Sequence, residues 1–193
     1  FRVGGKEHFL FEADEYRDSF LNFEPTIAVV LNIEPEHLDY FSGIGQIKDS
    51  FVSFVHIASP GGYMVANADD PNVLEVAERS QMGDRVITFG IRNPAATFKA
   101  INIAGEGGCY GFDIVKSDEF FCHVNLSAPG MHNVMNALAA AAASYLCGIP
   151  APRIEKGLEE FQGARRRLEF VGEIGGASVY SDYAHHPTEI RTT

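Results

Sequence analysis

The chain has 193 residues with 26 acidic and 15 basic side chains, which gives a formal net charge of -11 at pH 7. An acidic excess of this size repels a phosphate backbone, so nucleic acid is excluded as an expected partner. No apolar run approaches the roughly 18 residues that a transmembrane helix needs, which argues against membrane insertion. The three cysteines form no C-x-x-C pair, which favours buried thiols in a reducing cytosol over a disulfide framework or a zinc knuckle.

The first half of the chain alternates between strand and helix patterns. Four segments rich in β-branched and aliphatic residues are predicted strands: HFLFEA (8–13), TIAVVLN (26–32), GYMVAN (62–67) and RVITFG (85–90). An apolar stripe at helical spacing predicts a helix between the second and third strands: Ile44, Ile47, Phe51, Phe54 and Val55. A second helix begins near Pro71, where either Asp69 or Asp70 can cap it. This alternation predicts an α/β fold with a mostly parallel sheet flanked by helices.

The second half changes character at residues 97–127, where turn residues separate three short segments. These segments, TFKAINI, CYGFDIV and EFFCHVNL, predict a small antiparallel β insertion. An alanine-rich stretch then predicts a helix that ends at Gly148, and PRIEKGLEEF predicts another. The segment after Gly163 is expected to begin a further sheet, so we place a domain boundary there, between residues 1–163 and 164–193.

Polar residues beyond the first two predicted strands are candidates for a site, because ligands of open α/β sheets bind outside the carboxyl ends of the strands. FEADEY carries Glu12, Asp14 and Glu15, and a carboxylate held there can bind Mg²⁺. A solvated acidic turn is the alternative. His37, in NIEPEHLDYF, lies at the same edge, although imidazole suits Zn²⁺ or Mn²⁺ better than Mg²⁺. Its alternative is a capping role in a turn.

The motif PGMHNVMN places His132 and Asn133 in the first turn of the alanine-rich helix. Asn136 lies one turn further along the face of Asn133. Amide side chains offer a donor and an acceptor together, which is what the edge of an adenine requires. In the alternative interpretation, Asn133 caps the helix and Asn136 is an ordinary packing residue.

Two further motifs lie near the predicted domain boundary. The arginines at 165–167 can clamp phosphates when a neighbouring domain closes, or they form a solvated basic run. SDYAHHP ends a predicted strand in Asp182 and follows it with His185 and His186, which could contact a carboxylate substrate or cap the next helix. Neither a G-x-S-x-G elbow nor an H-E-x-x-H motif is present, which weakens hydrolase interpretations.

Five motifs, in this order, resemble the Mur ligase family: EADEY, NIEPEHLDYF, PGMHNVMNALAA, FQGARRRLEF and DYAHHPTEI. The resemblance runs from about Phe11 to the end of the chain. It implies that residues 1–163 are most of a central ATP-binding domain and that residues 164–193 begin a Rossmann-like C-terminal α/β domain. Composition and periodicity alone predict only an α/β domain of the nucleotide-binding type.

The resemblance also implies a reaction. The residues of the motifs NIEPEH and DYAHHPTEI fit best the branch of the family that adds L-alanine to UDP-N-acetylmuramate. ATP, with Mg²⁺ or Mn²⁺, phosphorylates the lactyl carboxylate of the sugar nucleotide. The amino group of L-alanine attacks the acyl phosphate, and the tetrahedral intermediate expels phosphate. The expected partners are therefore these small molecules, and the expected setting is peptidoglycan precursor synthesis in the bacterial cytoplasm.

Each candidate residue takes a role from the resemblance. Metal binding and catalysis fall to Glu12 and His37, with Arg167 reaching the ATP phosphates from the next domain. Four residues are implied on the nucleotide side: His132, Asn133, Asn136 and Asp182. Two lie near the implied amino-acid pocket: His185 and His186.

The chain departs from the family pattern in two respects. Several relatives carry a carbamylated lysine downstream of the metal histidine, and Lys48, the nearest candidate, falls too early, so that role is not assigned. A phosphate loop of the G-x-x-G-K-T type is also absent. We expect that loop and the domain for the UDP-sugar to precede Phe1, and we expect the chain as given not to turn over. Two rival interpretations stay open. One is the recycling ligase of the same family, which attaches a tripeptide instead of alanine, and the other is a non-catalytic nucleotide-binding relative.

Overall fold

A six-stranded sheet forms the centre of the structure, a computed structural model that describes residues 4–58, 60–185 and 187–192. The strands lie side by side in chain order: β1 Ile27–Val30, β2 Tyr63–Asn67, β3 Val86–Gly90, β4 Phe98–Glu106, β5 Cys109–Lys116 and β6 Glu119–Asn125. Strands β1 to β4 are parallel, and β5 and β6 continue the sheet in antiparallel fashion. The predicted antiparallel insertion is thus an extension of the main sheet, joined to it where β3 pairs with β4.

Helices cover both faces of the parallel part of the sheet. Their bounds are α1 Ile44–His56, α2 Pro71–Arg79, α3 Met131–Leu146 and α4 Ala151–Glu159. The helices α1 and α2 share one buried cluster with Met64 and Ala66 of β2, whereas α3 and α4 share the other with Val65 of the same strand. Because alternate side chains of a strand point to opposite faces, β2 is buried on both sides, which explains its continuous apolar run.

Both predicted features of the first two helices are confirmed. The stripe on α1 faces the core, with Ile47, Phe54 and Val55 buried. Of the two candidate caps for α2, Asp70 is the one that acts, since its carboxylate accepts hydrogen bonds from the backbone N–H groups of Asn72 (2.8 Å) and Val73 (3.1 Å).

The prediction of a strand at HFLFEA is wrong. Phe9 and Leu10 are 86% and 93% exposed, and none of the described strands pairs with this segment. Apolar alternation identifies a strand only where a neighbouring strand completes its hydrogen bonds. The Phe11 ring instead packs 4.6 Å from that of Phe23. Glu12 therefore follows an irregular segment, and the chain continues into a short 3₁₀ segment at Tyr16–Asn22.

The last described part of the chain forms a separate two-stranded antiparallel sheet, β7 Glu169–Ile174 and β8 Ala177–Ser181, followed by α5 Pro187–Thr192. A new sheet therefore begins after Gly163, as predicted, while its membership of a Rossmann-like domain stays a prediction.

None of the described helices is both long and apolar enough to cross a membrane.

The cysteines match the sequence prediction only in part. All three are free thiols, and Cys122 is buried. Burial, together with the nearby charges of Glu155 and Glu159, raises the pKa of the Cys122 thiol to about 11. Cys109 and Cys147 are half-buried, so the expectation of buried thiols is wrong for these two. Both lie at the margins of regular elements, Cys109 at the first residue of β5 and Cys147 at the end of α3.

Candidate active site

A cavity of about 1000 Å³ opens beyond the carboxyl ends of β1, β2 and β3. The segments that follow these strands line one side of it, and the first turns of α3 line another. The principal lining residues are Leu31, Asn32, Ile33, Asp69, Asp70, Ile91, Arg92, His132, Met135 and Asn136. Among the predicted site residues, Glu12, His132 and Asn136 line this cavity. The position agrees with the general rule for ligand sites of open α/β sheets.

The start of α3 is shaped by close contact between a glycine and a histidine. Gly130 has φ +100, and a Cβ placed on it would lie 2.5 Å from Cε1 of His132, so only glycine fits. Nδ1 of His132 is buried and has no hydrogen-bond partner among the described residues. Burial lowers the pKa of His132, while the nearby charge of Asp182 raises it and that of Arg167 lowers it. His132 therefore lies close to both of these predicted site residues.

The two asparagines of α3 differ in their surroundings. The Asn133 side chain donates through Nδ2 to the carbonyl of Pro129 (2.7 Å), which fastens the helix to the preceding loop. Its Oδ1 accepts a hydrogen bond from Nδ2 of Asn136 (3.2 Å). Asn133 is not the cap of α3, because the N-cap position is Gly130 and no side chain caps the helix there. Asn136 is exposed on the cavity wall.

His37 lies in the loop after β1, in a left-handed backbone conformation with φ 53. Its Nε2 is 3.3 Å from a carboxylate oxygen of Glu15, and its ring packs 4.8 Å from that of Tyr16. One ligand atom from each of Asp14, Glu15 and His37 lies within 4.8 Å of the others, a set that suits a divalent cation such as Mn²⁺. Glu12 is outside this set, so the structure brings Glu15 rather than Glu12 next to His37.

The residues after Gly163 approach the cavity from the hairpin of β7 and β8. Asp182 accepts hydrogen bonds from the N–H groups of Leu168 (2.7 Å) and Ala184 (2.6 Å), so its carboxylate holds both ends of the hairpin. His185 is exposed, with Nδ1 3.1 Å from the carbonyl of Tyr183. His186, the other residue predicted near an amino-acid pocket, lies outside the described residues.

The helix α5 also reaches the cavity. Thr188 lines it and donates from Oγ1 to a carboxylate oxygen of Glu34 in the loop after β1 (2.7 Å). Neither residue was among those selected from the sequence, because their contact joins positions 154 residues apart. Asp69 was considered only as a possible cap for α2, yet it lines the cavity and bonds the segment after β3. The sequence contained one indication of a further role for Asp69, because two aspartates precede Pro71 and a helix cap needs only one.

A mostly parallel α/β sheet with a carboxylate-containing cavity beyond its strand ends defines a ligand-binding α/β protein. The family model described as "Mur ligase middle domain" matches residues 2–144. The chain therefore belongs to the Mur ligase family, as the motifs indicate. This family is ATP-dependent.

Curated relatives share the whole length of the chain. The UDP-N-acetylmuramate–L-alanine ligase of Caldicellulosiruptor saccharolyticus is 48% identical over 100% of this chain and 42% of its own length. The protein of the same name from Clostridium perfringens is 43% identical, again over 100% of this chain and 42% of the relative. The chain thus spans about two fifths of the length of the curated relatives it matches.

Solved structures agree with this family assignment. MurF from Acinetobacter baumannii superposes with a TM-score of 0.78 at 27% identity, over 90% of this chain and 37% of that one. The UDP-N-acetylmuramate–alanine ligase of Thermotoga maritima gives a TM-score of 0.74 at 26% identity, over 91% and 38%. The predicted fold class is thereby confirmed.

Proposed function

We propose that this chain is the ATP-binding part of a ligase that joins L-alanine to UDP-N-acetylmuramate, in the cytoplasmic synthesis of peptidoglycan precursors. The observation that carries the proposal is the match of the entire chain, at 48% identity, to a ligase of that name. The cavity at the strand ends supports it, because Glu12, which the resemblance assigns to the metal, lines the same space as His132 and Asn136, which it assigns to the nucleotide. Identity of 41% or more over at least 98% of the chain recurs in eight relatives with this name.

In the proposed reaction, the lactyl carboxylate of the sugar nucleotide attacks the γ-phosphorus of ATP, and ADP leaves. The amino group of L-alanine then attacks the acyl carbon, and phosphate leaves with formation of the amide bond. Negative charge develops on phosphoryl oxygens, so positive groups at the site lower the barrier. A bound Mg²⁺ or Mn²⁺ would supply most of that positive charge.

The residues of the chain divide into three groups in this proposal. Glu12 and His37 hold the metal, and the position of Glu15 beside His37 makes it a further candidate ligand. Asn136 and His132 face the nucleotide from α3, with Asn133 and Asp182 as neighbouring contacts. Arg167 contacts the phosphates. His185 and His186 are assigned to the side where the amino acid binds.

Phosphate release by the protein expressed from the complete gene tests the proposal. We expect release to require ATP, UDP-N-acetylmuramate and L-alanine together, and the product mass to equal sugar nucleotide plus alanine minus water. Release with a tripeptide but not with alanine would move the protein to the recycling branch. ATP binding without any acceptor-dependent release would leave a non-catalytic relative, and the catalytic assignments would fall.

A further inference from the structure

The connection from β2 to α2, together with the last residue of β2 and the first two of α2, spans residues 67–72 and lies between the segments after β1 and β3 that line the cavity. We call it the β2–α2 turn. On the β1 side, Asn67 donates from Nδ2 to the carbonyl of Leu31 (2.8 Å), and Asn72 donates from Nδ2 to the carbonyl of Ile33 (2.8 Å). The carboxylate of Asp70 accepts from the N–H of Ile33 (3.2 Å). The turn therefore holds the segment after β1 by three hydrogen bonds.

On the β3 side, the carboxylate of Asp69 makes most of the contacts, beside hydrogen bonds from the side chain of Asn93 to the carbonyl of Ala68 (3.0 Å) and from that of Arg92 to the carbonyl of Asp69 (3.4 Å). The carboxylate accepts hydrogen bonds from three consecutive backbone N–H groups, those of Ile91 (2.8 Å), Arg92 (3.1 Å to each oxygen) and Asn93 (2.8 Å). The Asp69 side chain is only 6% exposed. A buried carboxylate is stable only when hydrogen bonds replace its water, and these four contacts do so.

The close approach of Gly90 is independent evidence that this carboxylate is held in place. A Cβ built on Gly90 would lie 2.9 Å from Oδ1 and 3.2 Å from Cγ of Asp69. A separation under 3.0 Å is essentially never seen for a real Cβ, so a side chain at Gly90 would displace the carboxylate. The last residue of β3 and the carboxylate of the β2–α2 turn therefore fit each other.

The segment that Asp69 holds forms part of the cavity wall. Ile91 and Arg92 line the cavity, and Ile91 packs against the buried cluster that includes residues of α3. This wall meets the one that carries His132 and Asn136. Since the Asp69 oxygens are occupied by backbone donors, Asp69 acts on a ligand only through the position of this segment.

We propose that Asp69 is a positioning residue for nucleotide binding, which fixes residues 91–93 and thereby the part of the cavity wall that Ile91 and Arg92 form beside the start of α3. The proposal rests on the proposed function in one respect, that the ligand of this cavity is ATP. It assigns Asp69 to ligand affinity and not to the chemical step. Weaker positioning should therefore raise the KM for ATP and leave kcat unchanged, a split that general loss of structure would not produce.

The substitution Asp69→Asn tests this in the full-length protein, because it keeps the shape of the side chain but sets an N–H₂ group against backbone donors. We expect a roughly tenfold weaker ATP affinity, the size that loss of a charged hydrogen bond gives. Amide hydrogen exchange at residues 91–93 should become faster. Asp84→Asn is the matched control. Asp84 is exposed in the turn before β3, at the end of the strands opposite to the cavity, so its substitution should change neither quantity.

Gly90→Ala is the second test, and it decides the matter if Asp69→Asn does not fold. Its methyl group should displace the carboxylate and weaken ATP binding in the same direction, and the double variant should be no worse than Asp69→Asn alone. Unchanged ATP affinity in both variants would overturn the proposal. Direct ATP binding keeps the two proposals apart, because an unmodified protein that binds ATP without ligating refutes the ligase function only, and one that does not bind ATP refutes both.

Discussion

Single carboxylates distinguish two ways in which the proposed metal could be held in this cavity. Glu12 and Glu15 both line it, but only Glu15 lies beside His37. The proposed assignment of Glu12 thus depends on its place on the cavity wall, where a ligand bound between it and the α3 wall would approach its carboxylate. Asp14 and Glu15 form a separate set of possible metal ligands with His37. A substitution at Glu12 separates these two arrangements.

We predict that Glu12→Gln lowers ligation by roughly a hundredfold or more in the full-length protein, because the amide loses the charge that binds a divalent cation. Glu12 is exposed, so the melting temperature should stay the same. Steady-state phosphate release and thermal unfolding are the two measurements. Glu7→Gln, an identical change at an exposed residue of the same segment, is the control and should be active. Near-normal turnover of Glu12→Gln would assign the metal to the set around Glu15.

Residue types and their positions in the predicted elements were sufficient to select part of the cavity lining, although the strand predicted before Glu12 does not form. Glu12, His132 and Asn136 were selected in this way, and all three line the cavity. The contacts of Asp69 with residues 91–93 were not predictable, since they join positions 22 to 24 residues apart through backbone N–H groups. Backbone donors leave no trace in the sequence, because every residue except proline has one.

Among the elements, α3 determines how the sheet is packed on one face. Its alanine run allows close approach, with Ala141 and Ala142 fully buried against the sheet while Ala140 is exposed. The sequence predicted the helix from alanine propensity, but not which alanines face inwards. The run is apolar on every side, so its period does not distinguish the two faces.

We predict that Ala141→Leu lowers the free energy of unfolding by about 1–3 kcal/mol, because the added atoms have no space in the packed interface. Ala140→Leu, the same substitution one residue earlier, points to solvent and should change stability by about 0.5 kcal/mol at most. Chemical denaturation of the two variants gives the comparison. Equal effects of the two substitutions would show that α3 does not pack as described.

The antiparallel extension carries an ion pair that responds to pH. Asp113 and His123 face each other across β5 and β6, with Oδ1 and Nδ1 2.7 Å apart, and Asn102 donates to the other carboxylate oxygen (2.7 Å). The hydrogen bond from Asn102, and next that from His123, holds the pKa of Asp113 below its usual value. The bond to Asp113 raises the pKa of His123 above its usual 6.5.

These shifts fix the sign of a pH dependence. A raised histidine pKa stabilises the fold below pH 6.5, and this stabilisation is lost as the pH rises through the raised value. We predict that His123→Gln is less stable than the parent near pH 5.5 and that the difference disappears by about pH 9. Denaturant midpoints at both pH values measure it. In an Asp113→Asn background the pH dependence should vanish, and its persistence there would contradict the pairing.

Regular elements with a complete local pattern were predictable, and those that depend on distant partners were not. The stripe of α1 fixes which face is buried, and the acidic residue before Pro71 fixes the start of α2. HFLFEA has an equally convincing strand pattern but lacks a described partner strand. The extension β4 to β6 was predicted as an insertion, and its union with the main sheet depends on a short parallel pairing of β3 with β4.

For the whole molecule, charge is the property that constrains the ligand. The net charge of -11 is repeated on a smaller scale in the cavity, whose described lining includes six carboxylates, from Glu12, Glu15, Glu34, Glu36, Asp69 and Asp70, and one arginine, Arg92. A nucleoside triphosphate such as ATP carries several negative charges of its own. Its binding in such a cavity is opposed by electrostatic repulsion unless a cation lies between the two sets of oxygens.

We therefore predict that ATP binding by the full-length protein depends on a divalent cation, with affinity falling by roughly a hundredfold or more when Mg²⁺ is removed by a chelator. Mn²⁺ should restore it, because carboxylates with an imidazole accept that ion well. Calorimetric titration with ATP, at equal ionic strength with and without the metal, measures the effect. A monovalent salt should not substitute, since screening reduces repulsion without bridging phosphate to carboxylate. Equal affinity with and without the metal would mean that the triphosphate lies away from the acidic lining. The assignment of Glu12 and His37 to a metal at the phosphates would then be wrong.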